Sequence, residues 1–129
     1  MTRSSLSKLG ETELEVLNIM WDLGSASVSD VRERILENRD IAYTTVMTVM
    51  RKLADKGYLS FTEDGKSYLY SPEIPADKVR GSLLSDLVMR VFRGSHKELV
   101  RTLVEEESLS GEEIAELRRL IDNLEDRDD

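Results

Sequence analysis

Apolar residues recur at helical spacing through the first 57 positions, and an Asp-Gly step then separates two alternating runs. Long apolar helical stripes fill the second half. Together these predict a mainly α protein with one small β-hairpin. In chain order the elements describe a winged helix-turn-helix domain over residues 1–72 and a helical dimerisation domain over residues 73–129.

Residues 1–8 are polar and expected to fray. A first helix is predicted from about Glu11 to Leu23, with Leu14, Leu17 and Trp21 at helical spacing and Met20 beside them. Glutamates at 11, 13 and 15 suit its positive N-terminal end, and Gly24 ends it. Trp21 reads as a core anchor. Ser27 is the N-cap of a second helix reaching about Asn38, with Val28, Val31 and Ile35 inward and Asp30 a weak capping-box partner. Arg39 to Ala42 forms the turn into a third helix.

The stretch Ile41–Gly57, IAYTTVMTVMRKLADKG, divides into two faces as a helix. Val46, Val49, Met50 and Leu53 form an apolar stripe with Tyr43 at its margin. Opposite lie Thr44, Thr48, Arg51 and Asp55, flanked by Thr45, Lys52 and Met47. A solvated helix ordinarily carries Glu–Lys pairs there. Short hydroxyls followed by two adjacent cations suit a DNA groove instead, with hydroxyls and a methyl group near base edges and cations toward phosphate or guanine. Taken alone, the stripe serves equally well as an ordinary surface helix.

After Gly57, a C′ residue, the period becomes alternating. Tyr58–Glu63 and Lys66–Ser71 flank Asp64-Gly65, the signature of a two-residue type I′ hairpin. A hairpin directly after a reading helix is a wing. Lys66 at its tip is placed either for a phosphate or minor-groove contact or simply for solubility. Tyr68 and Tyr70 read as packing residues that fasten the wing.

Pro72 and Pro75 mark the boundary between halves. Beyond them a helix over Ala76 to about Arg93 carries Val79, Leu83, Leu84, Leu87, Val88, Val91 and Phe92, too broad a stripe for one partner surface. Leu99, Val100, Leu103 and Val104 follow. A last helix is predicted from Gly111 to about Leu124, because Ser110 with Glu113 makes a capping box and Leu109 with Ile114 a hydrophobic staple. Its Ile114, Leu117, Ile121 and Leu124 have the spacing of a helical seam. The tail Glu125–Asp129 is expected to be disordered. About 50 residues is near the lower limit for a self-sufficient core, so pairing with a second copy is expected through Leu83, Leu87, Val91, Leu99, Leu103 and the seam residues. The alternative is a monomer whose C-terminal helices fold back on the first domain.

Composition narrows the function classes. The 129-residue chain has no cysteine and one histidine, His96, which leaves no disulfide, thiolate metal site or thiol catalysis, and no HxxH spacing. No glycine-rich phosphate loop or catalytic triad is present, so neither enzymatic activity nor a cofactor is expected. No apolar run approaches the roughly 18 to 20 residues of a membrane span, and there is no signal-peptide h-region, so a cytoplasmic protein without membrane insertion is expected.

The net charge of −8 runs against nucleic-acid binding. Its distribution is uneven: residues 76–129 carry 9 Lys/Arg against 14 Asp/Glu. Within Tyr43–Gly57 the balance reverses, with Arg51, Lys52 and Lys56 against Asp55, and local charge governs a contact. The competing reading is a winged-helix protein-interaction module that does not bind DNA.

The ordered set LGETELEVLNIMW, AYTTVMTVMRKLADKGYL, a GKSYLYSP wing and LSGEEIAELRRLID resembles the penicillinase repressor family over about residues 6–124, most specifically in its YTTV…L…KG block. The resemblance implies repression by a homodimer on a dyad-symmetric double-stranded DNA operator, with Thr44, Thr45, Met47, Thr48, Arg51 and Lys52 at the DNA face. In several members it also implies induction through a membrane-bound metalloprotease sensor, ending in repressor cleavage. The corresponding segment here is Arg101-Thr102-Leu103-Val104. Staphylococcal members are cut between Asn and Phe, whereas the aligned pair here is Thr102-Leu103. The copper-responsive branch uses C-terminal cysteine pairs, which this chain lacks. Met47 stands where the staphylococcal proteins align an Arg, which implies a different operator preference and a thymine-methyl contact in place of a guanine contact.

Overall fold

The computed structural model describes residues 9–127, so the expected fraying of residues 1–8 lies outside it. The order is α1 (Glu11–Leu23), α2 (Val28–Leu36), α3 (Tyr43–Asp55), β1 (Leu59–Asp64), β2 (Ser67–Pro72), α4 (Ala76–Val91), α5 (His96–Glu106) and α6 (Gly111–Arg127). This is the mainly helical, winged arrangement the sequence predicts. The last helix continues past Glu125, where disorder was expected, through Arg127; residues 128–129 lie outside the described chain.

Local chemistry explains most boundaries. At α1 the Gly10 N–H donates to Glu13 Oε1 at 2.9 Å. The weak capping box expected at α2 is complete: Asp30 N–H donates to Ser27 Oγ at 3.2 Å and Ser27 N–H to Asp30 Oδ2 at 3.0 Å. The box expected at α6 is present as well, with Ser110 and Glu113 bonded reciprocally at 3.0 and 3.1 Å. Helix α3 ends in a Schellman motif. Tyr58 N–H reaches Leu53 C=O, Gly57 N–H reaches Ala54 C=O, and Gly57 adopts φ +90°, which a side chain would strain.

The hairpin pairs Leu59 with Pro72 through Asp64 with Ser67, so its two-residue loop is Gly65-Lys66 rather than Asp64-Gly65. Only the first loop position, Gly65, has positive φ (67°). That matches a II′ turn, not the expected I′, because Gly takes the first central position at no steric cost. Ala26 adds an isolated antiparallel bridge to β2, its N–H and C=O bonding Tyr70 C=O and N–H, each at 2.9 Å.

The chain divides into two compact units, residues 1–86 and 87–129. The start of α4 packs with the first unit. Val79 is fully buried in the first unit's core, and Leu83 packs against it. Trp21 Nε1–H donates to Ile74 C=O at 3.0 Å, and the Arg80 guanidinium lies 5.1 Å over the indole ring. Trp21 therefore anchors, as expected, but as a half-buried clamp on the segment after the wing.

The first unit's core comprises Val16, Leu17 and Met20 of α1, Val31 and Ile35 of α2, Val46, Met50 and Leu53 of α3, with Tyr58 and Tyr70. Full burial of each large aliphatic side chain contributes roughly 1.5–3 kcal/mol. On α1 the innermost residues are Val16, Leu17 and Met20 rather than Leu14 and Trp21.

One polar atom is left over in this core. The Tyr58 hydroxyl is buried without a hydrogen-bond partner among the described residues, and burial, with Glu13 nearby, pushes its pKa up. A buried hydroxyl without a partner costs about 1–3 kcal/mol. Tyr58→Phe is expected to raise the melting temperature by a few degrees; a lowered one would show that the hydroxyl is satisfied in solution.

The second unit buries far less. Among its described residues Val88, 4% exposed, is the only buried apolar side chain, while Leu87, Met89, Val91, Val100, Leu103, Val104, Leu120, Ile121 and Leu124 are exposed. No helix of the described residues is long and apolar enough to cross a membrane.

Candidate nucleic-acid interface

Helix α3 is held by its inner face, Val46, Met50 and Leu53, each with no exposed surface. Its entry is pinned by Arg32, whose Nε–H donates to Ile41 C=O at 2.9 Å. The outer face is then dictated by the helical period. Tyr43, Thr44, Thr45, Met47, Thr48, Arg51 and Lys52 are all exposed.

These residues fall into two sets. Tyr43, Met47 and Arg51 recur at i, i+4 and i+8 and so share one ridge. With Lys66, Ser67, Tyr68 and Tyr70 of the wing and Ser27–Ser29 at the start of α2, they line a groove of about 210 Å³. Thr44, Thr45, Thr48 and Lys52 remain on the open face of the helix, outside this groove.

The cations are not equivalent. Lys56 is engaged internally, its ammonium donating to Glu13 Oε2 at 2.8 Å and Oε1 at 3.1 Å. Burial pushes the Glu13 carboxyl up, but the Gly10 N–H and Lys56, with Lys52 adding a weaker field, hold it below its ordinary value. Arg39 is likewise engaged, with Glu15 at 2.6 Å. Arg51, Lys52 and Lys66 form no ion pair with any described residue. Arg51 lines the groove together with the wing residues, and there its charge opposes the rise that burial gives the Tyr70 phenol pKa.

The sequence assigned Tyr68 and Tyr70 one packing role, and the structure separates them. Tyr70 is buried beside Ala26. Tyr68 is 37% exposed and faces the groove, its ring 4.7 Å from Phe61. Tyr68 and Ser29 therefore line the groove beside the α3 ridge, a placement that sequence reasoning missed. The available signal was the equal spacing of the tyrosines about one hairpin face, which identifies the face but not the degree of burial.

The apolar positions assigned to pairing fall in different places. Leu83 lies against the first unit's core. Leu99, Ile114 and Leu117 are partly buried within the second unit, and Leu87, Val91, Leu103, Ile121 and Leu124 are exposed there. Thr102 and Leu103 are exposed in the middle of α5, which buries no residue. Among the described residues no cluster of His, Cys, Asp or Glu suits a metal ion.

Solved structures share this fold. The DNA-binding domain of the repressor BlaI aligns with 55% of this chain and 87% of its own at a TM-score of 0.50 and 24% identity. An ArsR family transcriptional regulator aligns with 74% and 93% at a TM-score of 0.51 and 16% identity. Sequence relatives cover more. The transcriptional regulator BlaI of Mycobacterium tuberculosis is 32% identical over 124 residues, 95% of this chain and 88% of that protein. The methicillin resistance regulatory protein MecI of Mammaliicoccus sciuri is 30% identical over 114 residues, 88% and 93% of the two. The penicillinase repressor of Bacillus licheniformis is 25% identical over 122 residues, 95% of each. The family model described as penicillinase repressor matches residues 9–123, and this chain belongs to the penicillinase repressor family.

Proposed function

We propose that this protein is a homodimeric transcriptional repressor that binds a dyad-symmetric DNA operator. Each copy inserts α3 in a major groove, with half-sites spaced near multiples of about 10 base pairs. The observation that carries this reading is the outer face of α3. Three threonines, Met47, Arg51 and Lys52 stand exposed, and the two cations form no ion pair with any described residue, while neighbouring Lys56 and Arg39 are engaged internally. In a chain of net charge −8, free cations gathered at one face mark where a polyanion is met.

The second unit supports pairing. One buried apolar residue among the described residues of this unit cannot offset the conformational entropy of three helical segments. A second copy of the same exposed stripes supplies the missing burial through an isologous contact.

A mobility-shift titration on the DNA upstream of its own gene tests the reading. The expected result is a discrete complex that weakens steeply as salt rises, because counterions released by the bound phosphates are then less favoured in solution. No complex at low salt would favour a winged-helix protein-interaction module instead, the reading the acidic charge otherwise suggests.

Relief of repression is proposed to come from proteolysis within the C-terminal domain, signalled by a membrane-bound metalloprotease sensor, with Thr102–Leu103 as the candidate segment. The bond is exposed on a helix with little burial, but a protease needs extended backbone, so α5 must open first. Repressor that stays full length while its genes are induced would exclude this step.

A further inference from the structure

We propose that Tyr68 is a DNA-positioning residue: with Tyr43 and Met47 it grips one sugar–phosphate strand of the operator in the groove between α3 and the wing. The inference rests on the DNA-binding reading of α3 and extends it to a residue whose spacing suggested only packing.

A helix lying in the major groove and a hairpin reaching the adjoining minor groove are separated by a single strand of the duplex. That strand must cross the space between α3 and β2, which is the groove lined by Tyr43, Met47, Arg51, Lys66 and Tyr68. Its walls are chemically divided. Tyr43, Met47 and Tyr68 offer apolar surface, 45%, 36% and 37% exposed, while Arg51 and Lys66 offer positive charge. Deoxyribose presents a largely apolar face and phosphate a negative one. A base read by hydrogen bonds would instead need paired donors and acceptors set in one plane.

The Tyr68 ring is also braced as a contact surface. Phe61 supports it at 4.7 Å, and Tyr70 meets it edge-on at 6.5 Å and 85°. Tyr70 is itself fixed to Ala26 by two backbone hydrogen bonds, just before the Ser27 cap of α2. The ring is therefore positioned by the helix-turn-helix rather than carried on a free hairpin. A side chain placed there only to pack would be covered as Tyr70 is.

The test is binding of operator and of an unrelated duplex by full-length protein at several salt concentrations, together with hydroxyl-radical footprinting, which reads deoxyribose exposure. Tyr68→Ala is expected to weaken both duplexes by a similar factor, about five- to tenfold. The slope of affinity against salt should stay unchanged, because no charge is lost. Lys66→Ala should lower that slope by about 1. The footprint should lose its protected sugars beside the α3 half-site. Tyr68→Leu keeps apolar cover over Phe61 if the alanine variant fails to fold, and should lose the same protection. Binding within twofold of the parent with an unchanged footprint overturns the role of Tyr68 alone. Loss confined to the operator makes Tyr68 a base reader and also overturns it. A parent protein that binds neither duplex overturns the DNA reading itself.

Discussion

Replacing Arg51 with alanine is expected to weaken operator binding by about 1–3 kcal/mol, the usual cost of losing a base-contacting arginine. The residue sits at the third step of the Tyr43–Met47–Arg51 ridge, exposed and facing the wing. A guanidinium there contributes a fixed fork of donors that a lysine cannot reproduce, so Arg51→Lys should restore only part of the loss. The effect should survive at moderate salt, where a phosphate-only contact fades. Stability should change little, because the side chain forms no ion pair with any described residue. Affinity equal to the parent at fixed salt would remove Arg51 from the site.

Ile121→Asp is expected to have the larger consequence for the whole molecule, loosening the proposed dimer by at least about a hundredfold. Ile121 is 56% exposed on the seam of α6, with Leu117 one turn before and Leu124 one turn after. In an isologous interface a single substitution enters twice, so two carboxylates would be forced into an apolar contact. Burying an unpaired carboxylate is far costlier than losing the methylene contacts. Sedimentation at micromolar concentration should show the variant as monomer and the parent as dimer. Operator affinity should fall with it, since two half-sites then bind independently. A variant that remains dimeric would place the interface elsewhere on the second unit.

Much of this architecture is written in short-range pattern. The two faces of α3, the Ser27 and Ser110 boxes and the Gly57 stop each depend on groups within a few residues of one another. Local steric and hydrogen-bonding rules suffice to read them. The same holds for the exposed candidates on α3, because burying Val46, Met50 and Leu53 leaves Thr44, Thr48 and Arg51 no other direction to point.

Three features depended on partners distant in the chain. The hairpin loop moved one residue to Gly65-Lys66, since pairing along six positions outweighs the intrinsic preference of one Asp-Gly step. The start of α4 belongs with the first unit, because Val79 and Leu83 fit its core and Trp21 holds the intervening segment. Tyr68 and Tyr70, indistinguishable by period, differ in burial: Tyr70, whose backbone is bridged to Ala26, lies in the core, while Tyr68 stays exposed at the groove. The sequence by itself thus determined the helices, their caps and the outward face of α3, all consequences of neighbours along the chain. Tertiary packing alone decided which apolar residue is buried and which stays exposed, because burial depends on what lies across the space rather than on what comes next.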